Sequence, residues 1–304
     1  GTMAHWGLAG LLSLMFAVQP VAAGSTFDPR AAWNHLERLV AFGPRPSGSP
    51  ALARARAYIV DELKKMGIQV REQAFTARTP DGPIRMVNVI GILPSRARDV
   101  ILLGGHYETK YFSAFRFVGA NDGGSSAALL LELARSLTRA RREFTYWVVF
   151  FDGEEARREW SATDGTYGSR HMVAELERTG QLSRIRASVV VDMIGDKALN
   201  IRRELAATPW LTDLIWGSAR RLGHRAHFLD EALAVEDDHS PFLRAGIPAT
   251  LLIDFDYGPY WHTSEDTLDK LSPRSLGVVG ETLLDALPAL EAWLARGGAG
   301  GPAR

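Results

Sequence analysis

The spacing of apolar positions along the chain predicts a layered α/β fold. Apolar residues three or four positions apart, as in amphipathic helices, occur at residues 31–42, 51–66, 125–140, 169–178, 209–222 and 273–294. Short apolar runs typical of strands lie between these segments, at residues 68–75, 86–93, 100–105, 144–151, 189–191 and 249–253. Because strands alternate with helices, we expect three layers, with helices flanking a mixed, mostly parallel central sheet.

The N-terminal segment has the pattern of an export signal. Gly1-Thr2-Met3 resembles a remnant of a cloning vector, and the residues from Trp6 to Val18 are apolar. Val21-Ala22-Ala23 offers the small residues at which signal peptidases cleave. Residues 1–24 are therefore predicted to be a tag remnant and a secretory signal peptide, with a retained membrane anchor or an ordinary helix as alternatives. We expect a secreted or periplasmic protein without stable membrane insertion after cleavage.

The composition of the whole chain is that of a soluble globular protein, with 46% hydrophobic and 23% charged residues. No long linker divides residues 27–296, so we expect a single domain there, followed by a flexible tail at residues 297–304. The 35 basic and 35 acidic residues give zero net charge, which argues against a nucleic acid partner. We expect a monomer. The chain has no cysteine, so any metal ion must be bound by His, Asp or Glu.

Five segments carry residue types that bind metal ions, and most of them follow a predicted strand. They are Gly104-Gly105-His106, Asn121-Asp122-Gly123, Gly153-Glu154-Glu155, Val191-Asp192-Met193 and Trp261-His262-Thr263. Sites in open α/β sheets form at the carboxyl ends of strands, so we expect these side chains to meet. Each residue alone has an ordinary explanation, such as a turn or a solvated helix start. Together they favour a catalytic zinc site with an open coordination position.

The adjacent glutamates Glu154 and Glu155 are suited to two different tasks. Neighbouring side chains at the end of a strand point in different directions. One of the two can bind the metal ion while the other faces the substrate as a general acid and base. The spacing by itself leaves open which residue has which task.

The cluster as a whole resembles the co-catalytic zinc aminopeptidases. In that family, residues of the types found at His106, Asp122, the Glu154-Glu155 pair, Asp192 and His262 ligate two zinc ions, and the first glutamate of the pair is the catalytic base. The long spacing from Glu155 to Tyr167-Gly168-Ser169, with Trp160 between them, is similar to that of animal-type glutaminyl cyclases. Residues 106–112, 236–243 and 260–263 resemble the same branch, and the resemblance spans roughly residues 30–295.

This resemblance implies the zinc-aminopeptidase-like fold and a zinc-dependent enzyme. Its implied reaction cyclises N-terminal glutamine, and more slowly glutamate, of peptides or proteins to pyroglutamate with release of ammonia. One zinc ion per chain is implied, held by Asp122, Glu155 and His262. The other implied roles are a proton shuttle at Glu154, an acidic relay at Asp192 and Asp237, pocket walls at Trp160, Tyr257 and Trp261, and a hydrogen-bonding rather than zinc-ligating role for His106.

Two other functions remain open at this point. A two-zinc aminopeptidase would use the same residues, and a binding protein on a degenerate peptidase fold would lack some ligands, although none is lost here. The chain also departs from the animal cyclases, which commonly carry a disulfide near the site. Glu236 stands where a glutamine is expected, and Leu251 where a histidine is expected. We expect these differences to change hydrogen bonding near the site and the pH profile.

Overall fold

The computed structural model describes residues 27–297, and the predicted signal peptide at residues 1–24 lies outside this range, as does the tail beyond residue 297. The helices are α1 (Pro29–Ala41), α2 (Pro50–Lys65), α3 (Ser126–Thr138), α4 (Tyr167–Arg178), α5 (Pro209–Arg221), α6 (Ser240–Arg244) and α7 (Pro273–Gly297). The strands are β1 (Gln69–Thr79), β2 (Gly82–Leu93), β3 (Ala97–His106), β4 (Phe144–Phe151), β5 (Ile185–Asp192), β6 (Ile201–Glu204), β7 (Phe228–Leu233) and β8 (Ala249–Ile253).

Within the described residues, the main sheet has six strands in the order β1-β2-β4-β3-β5-β8. Strands β4, β3, β5 and β8 run parallel to one another, and the β1–β2 hairpin joins the edge of β4 in the antiparallel sense. Strands β6 and β7 form a separate parallel pair. The mixed, mostly parallel sheet predicted from the sequence is therefore confirmed.

Alternate residues of the central strand β3 face opposite layers, as the twofold period of a strand requires. Ile101 and Leu103 pack in a large apolar cluster with residues of α1, α2, α3, α5 and α7. Val100 and Leu102 pack on the other face, in a cluster that includes residues of α4 and α6. Helices thus cover both faces of the sheet, which confirms the three-layer prediction. Within residues 27–297, no helix combines the length and apolar character needed to cross a membrane.

The site lies at the edge of the sheet where the parallel strands end. Strand β3 ends at His106 and β5 ends at Asp192, while the Glu154-Glu155 pair follows β4 within three or four residues. Strand β8 ends at Ile253 and leads to the loop that carries His262. The main strands and helices match the sequence prediction closely, but β6, β7 and α6 were missed. These elements are only four to six residues long, too short to show a clear apolar period.

Two buried aspartates meet close to the end of β8. The side chain of Asp254 accepts the backbone N–H groups of Asn200 and Asp256, at 3.1 and 2.9 Å. Burial, followed by a hydrogen bond with Asp196, raises the pKa of Asp254 to about 8. Asp254 therefore carries a proton at neutral pH, and that proton contributes to stability.

Asp196→Asn should make the stability of the fold less dependent on pH. The pKa of Asp254 is raised on folding, so its contribution is complete below pH 3.8, its ordinary pKa, and is lost as the pH rises through about 8. An asparagine at position 196 can still accept the Ala198 N–H group, which now donates to Asp196 at 3.0 Å. Its amide can also donate to ionised Asp254 at any pH. Between pH 5 and 9, at constant zinc concentration, the melting temperature should fall less in the variant than in the parent. An equal fall in both proteins would contradict this account.

Candidate metal centre

The side chains of Asp122, Glu155 and His262 converge on one point. Nε2 of His262 lies 2.9 Å from Oδ2 of Asp122 and 3.3 Å from Oε2 of Glu155. The contact between His262 Nε2 and Asp122 Oδ2 is short but not aligned as a hydrogen bond, so among the described residues neither of these buried atoms has a hydrogen-bond partner. Buried polar atoms without a partner are costly, and a cation bound between them removes this cost. The three residues therefore fit a zinc ion, with histidine and carboxylate ligands and room for a further ligand on the cavity side.

The turn that carries Asp122 is held from two sides. The backbone N–H groups of Asn121 and Asp122 donate to the two carboxylate oxygens of Asp266, at 2.8 and 3.1 Å. Gly123 follows with a φ of 101°, where a Cβ atom would lie 2.5 Å from the backbone oxygen of Glu108. Only glycine fits this position. The location of the Asp122 carboxylate is thus fixed by the surrounding backbone.

His106 lies next to this group but has partners of its own. Its Nδ1 is 2.8 Å from Oε1 of Glu108, and its Nε2 is 3.2 Å from Oδ1 of Asp192 and 3.1 Å from Oδ1 of Asp122. Burial acts to lower the pKa of His106, but the negative charges of Asp192, Glu108 and Glu154 outweigh it and raise the pKa well above its ordinary value. In the absence of metal, His106 is therefore a buried cation that donates from both ring nitrogens.

The distances also permit a second ion. One ligand atom each from His106, Asp122 and Asp192 lies within 4.8 Å of the others, as in the first group. Here, however, His106 already bonds directly to Asp192. The atoms facing this second position have partners, whereas two atoms facing the first have none among residues 27–297.

Glu108 connects His106 to the glutamate pair, although the sequence analysis gave it no role. Its buried carboxylate also accepts the backbone N–H groups of Glu154 and Glu155, at 3.2 and 3.3 Å. The available signal was a carboxylate two residues after His106, a spacing that returns to the same side of an extended chain. Asp266 was also missed, and its distance of more than 140 residues from Asn121 left no local signal.

Three further carboxyl groups lie together beside the ligands. Side-chain oxygens of Glu154, Asp192 and Asp237 come within 4.8 Å of one another, and Asp192 is hydrogen-bonded to Asp237. Burial, followed by the negative charge of Asp192, raises the pKa of Asp237 well above its ordinary value. Burial and then the charges of Asp237 and Glu155 raise the pKa of Glu154 in the same way. The group can therefore hold protons close to the candidate metal position.

A cavity of about 550 Å³ opens onto these groups. Trp160 and Trp261 lie on its wall as expected, and they are 39% and 37% exposed. The expectation that Tyr257 lines the pocket is corrected by the structure, because this side chain is only 1% exposed. Its hydroxyl turns inward and donates to Oδ1 of Asp266 at 2.7 Å. Phe255, two residues earlier, lies on the cavity wall instead.

Glu236 and Leu251, the two residues that depart from the pattern of the animal-type cyclases, lie at different positions relative to this cavity. Glu236 lines the cavity, and its Oε2 accepts the indole N–H group of Trp160 at 2.9 Å. Leu251 is fully buried in β8, within the apolar cluster on the α1 and α3 face. Only Glu236 therefore changes the polar groups of the cavity wall.

Known proteins share both the sequence and the fold. Residues 88–287 match the model of peptidase family M28. A glutaminyl-peptide cyclotransferase-like protein from Bos taurus is 32% identical over 279 residues, which cover 82% of this chain and 72% of that protein. The solved glutaminyl cyclase of an Acidobacteriales bacterium is 43% identical, with a TM-score of 0.84 over 88% of this chain and 96% of that one. A leucine aminopeptidase precursor from Bacteroides thetaiotaomicron is 25% identical, with a TM-score of 0.79 over 86% and 97% of the two chains.

The geometry predicts one tightly bound zinc ion per chain. After dialysis without chelator, mass spectrometry should measure one zinc per chain, and His262→Ala should lose it because a ligand is removed. His106→Ala is the matched control, since it removes a histidine of the same cluster whose two ring nitrogens already have partners. That control should keep its zinc. Two zinc ions per chain, with activity following the second, would contradict this prediction.

Proposed function

The chain belongs to peptidase family M28, and within it to the glutaminyl-peptide cyclotransferases, and on that premise we propose how its buried cluster acts. It is a zinc-dependent enzyme that cyclises the N-terminal glutamine of peptides or proteins to pyroglutamate and releases ammonia. The proposal includes slower cyclisation of N-terminal glutamate. The observation that supports it best is a single cavity in which Glu154 lies beside three convergent ligands.

We assign the zinc ion to Asp122, Glu155 and His262. Zinc in this position supplies a Lewis acid for the γ-carbonyl oxygen of the substrate. Trp261 stacks on the His262 ring with 3.8 Å between the ring centroids, so the ligand is also part of the cavity wall. Trp160 and Trp261 offer exposed aromatic surface that suits the methylene groups of a glutamine side chain. The open cavity above them leaves room for the peptide to continue.

Glu154 is assigned the proton transfers. It removes a proton from the α-ammonium group, and the freed amine attacks the γ-carbonyl carbon to form the new carbon–nitrogen bond. The bond from this carbon to the side-chain amide nitrogen then breaks. Glu154 returns its proton to the departing nitrogen, which leaves as ammonia. Glu154 then takes the second proton that the attacking nitrogen must lose to become the neutral lactam, and passes it to the ammonia, which departs as ammonium while Glu154 is ionised again. Nucleophile and electrophile belong to one molecule, so the cavity mainly has to select the bent conformer.

Asp192 and Asp237 are assigned to the relay beside Glu154. In this assignment Asp237 holds a proton that it shares with Asp192, which is supported by the raised pKa of Asp237 and by the hydrogen bond between the two carboxyl groups. Sharing the proton removes one negative charge from the neighbourhood of Glu154. The carboxylate of Glu154 can then ionise and accept a proton from the substrate.

The second candidate function is a two-zinc aminopeptidase. It is favoured by the grouping of His106, Asp122 and Asp192, which has the dimensions of a further metal position. Against it stands the direct hydrogen bond between His106 and Asp192, which occupies the atoms that a second ion would need. The products distinguish the two functions, because a cyclase releases ammonia from Gln-initiated peptides and an aminopeptidase releases amino acids.

The proposal also covers the chain outside the site. We infer that residues 27–296 act as one catalytic domain in a monomer, and that the enzyme is exported. The apolar residues from Trp6 to Val18 and the small residues before Gly24 support export.

Glu154→Gln should lower kcat by about 100-fold or more, because it removes the general acid and base, and should leave the zinc content unchanged. Glu155→Gln is the matched control, with the same chemical change at a residue assigned to zinc, and it should lose zinc. Ammonia release from a Gln-initiated peptide and metal content by mass spectrometry measure the two effects. Zinc lost from the first variant and kept by the second would reverse the assignment within the pair.

Export predicts the N-terminus of the mature protein. When the chain is expressed in its native cell type, mass spectrometry should find the mature protein beginning close to Gly24, because the small residues before it suit cleavage. An intact N-terminus in the membrane fraction would instead indicate a retained anchor.

A further inference from the structure

Trp160 reaches the cavity on a loop whose two ends are bonded together. This Trp160 loop comprises residues 155–166, between β4 and α4. At its base, the backbone N–H groups of Thr166 and Tyr167 donate to the carbonyls of Glu154 and Gly153, both at 2.8 Å. The base is therefore fixed beside the metal-binding glutamate, but these bonds lie several residues from Trp160. Some other interaction has to hold the tip of the loop.

Asp164 supplies this interaction from inside the loop. Its Oδ1 accepts the backbone N–H group of Arg157 at 2.7 Å, and its Oδ2 accepts those of Arg158 and Glu159 at 3.0 and 3.1 Å. The Tyr167 hydroxyl donates to the same carboxylate at 2.8 Å. Asp164 is only 4% exposed, so these bonds are sheltered from water. One carboxylate thus binds the three residues that immediately precede Trp160.

The indole of Trp160 is in turn confined by its neighbours. Gly165 lies against the ring with a φ of 126°, and a Cβ atom there would come within 2.9 Å of the ring carbon Cε3. Across the cavity rim, Glu236 accepts the indole N–H group at 2.9 Å. The ring is therefore placed by contacts on two sides.

We propose that Asp164 is the positioning residue of Trp160, fixing the indole as a preformed wall of the substrate cavity. The carboxylate acts through the backbone of the Trp160 loop and does not itself line the cavity. Substrate binding then avoids the entropic cost of ordering the loop. The kinetic consequence rests on the proposed function, whereas the placement of the indole does not.

A second aspartate contacts the same residues from outside and serves as the matched control. Asp81, in the turn between β1 and β2, pairs with the side chains of Arg157 and Arg158 at 3.1 and 2.8 Å. Ion pairs at the surface contribute little. Asp81 binds side chains only, so its loss leaves the bonds from the loop backbone to Asp164 intact. The control thus removes a carboxylate that touches the same loop but not its backbone.

The kinetic test uses Asp164→Asn, which keeps the shape of the side chain but replaces an acceptor with a donor. With a Gln-initiated peptide, KM should rise by roughly tenfold, the loss expected from one displaced aromatic wall. The kcat value and the zinc content should stay close to those of the parent. Asp81→Asn should leave KM unchanged. A fall in kcat with unchanged KM, or an equal effect of Asp81→Asn, would overturn the proposal.

A double-mutant cycle tests whether Asp164 acts through Trp160. Trp160→Ala should raise KM by itself, and adding Asp164→Asn should then raise it no further, because the positioned group is already gone. Additive effects of the two substitutions on KM would show that Asp164 acts by another route.

Fluorine NMR tests the placement of the indole without any substrate. In protein labelled with 5-fluorotryptophan, the resonance that disappears in Trp160→Phe belongs to Trp160. Asp164→Asn should shift or broaden that resonance more than those of the other tryptophans, and Asp81→Asn should not. Tyr167→Phe, which removes one of the four bonds to the Asp164 carboxylate, should give a smaller change of the same kind. This variant provides the test if Asp164→Asn does not fold. An unchanged Trp160 resonance in a folded variant would overturn the proposal even if the parent proved not to cyclise glutamine.

Discussion

The burial of several carboxyl groups at one edge of the sheet is the constraint on which the rest of the site depends. Asp122, Glu154, Asp192 and Asp237 are each no more than 5% exposed, and like charges this close cannot all be ionised without compensation. The structure compensates them in three ways. In the absence of metal, the raised pKa of Asp237 favours a proton beside Asp192, the raised pKa of His106 favours a buried cation facing the cluster, and the remaining carboxylates meet at a position suited to zinc.

The fold supplies this compensation largely through its backbone. Parallel strands bring β3, β4 and β5 to an end side by side, so acidic groups distant in the chain arrive at one place. The carboxylates of Glu108 and Asp266 accept backbone N–H groups of the turns that carry the glutamate pair and Asp122, and these bonds fix the turns. Met193 and His262 have φ values of 50° and 53°, a rare conformation for residues other than glycine. Such strain persists only where surrounding contacts enforce it.

The strands and the candidate ligands of the site could be predicted from the sequence, but the residues that hold these ligands in place could not. Strands such as Phe144–Phe151 are visible in a single sequence because burial on both faces leaves an almost wholly apolar run. His106, the Glu154-Glu155 pair and Asp192 could be found because they end or closely follow such runs. Asp266 and the inward turn of Tyr257 could not, since Asp266 meets the Asp122 turn, and Tyr257 meets Asp266, only through tertiary packing. The short strands β6 and β7 escaped for a related reason, because strands of four to six residues bury too few side chains to produce a period.

The difference between cyclisation and hydrolysis determines whether the position beside His106 needs a second metal ion. A hydrolase has to hold and activate a water molecule, and a second metal ion is one way to do so. Cyclisation needs no such water, because the nucleophile is the amine of the substrate itself. On the proposed one-zinc assignment, His106, which bonds directly to Asp192, can therefore occupy the second position without loss of chemistry. The site as proposed then needs only one zinc ion, because the hydrogen bond from His106 satisfies the Asp192 oxygen that a second ion would otherwise bind.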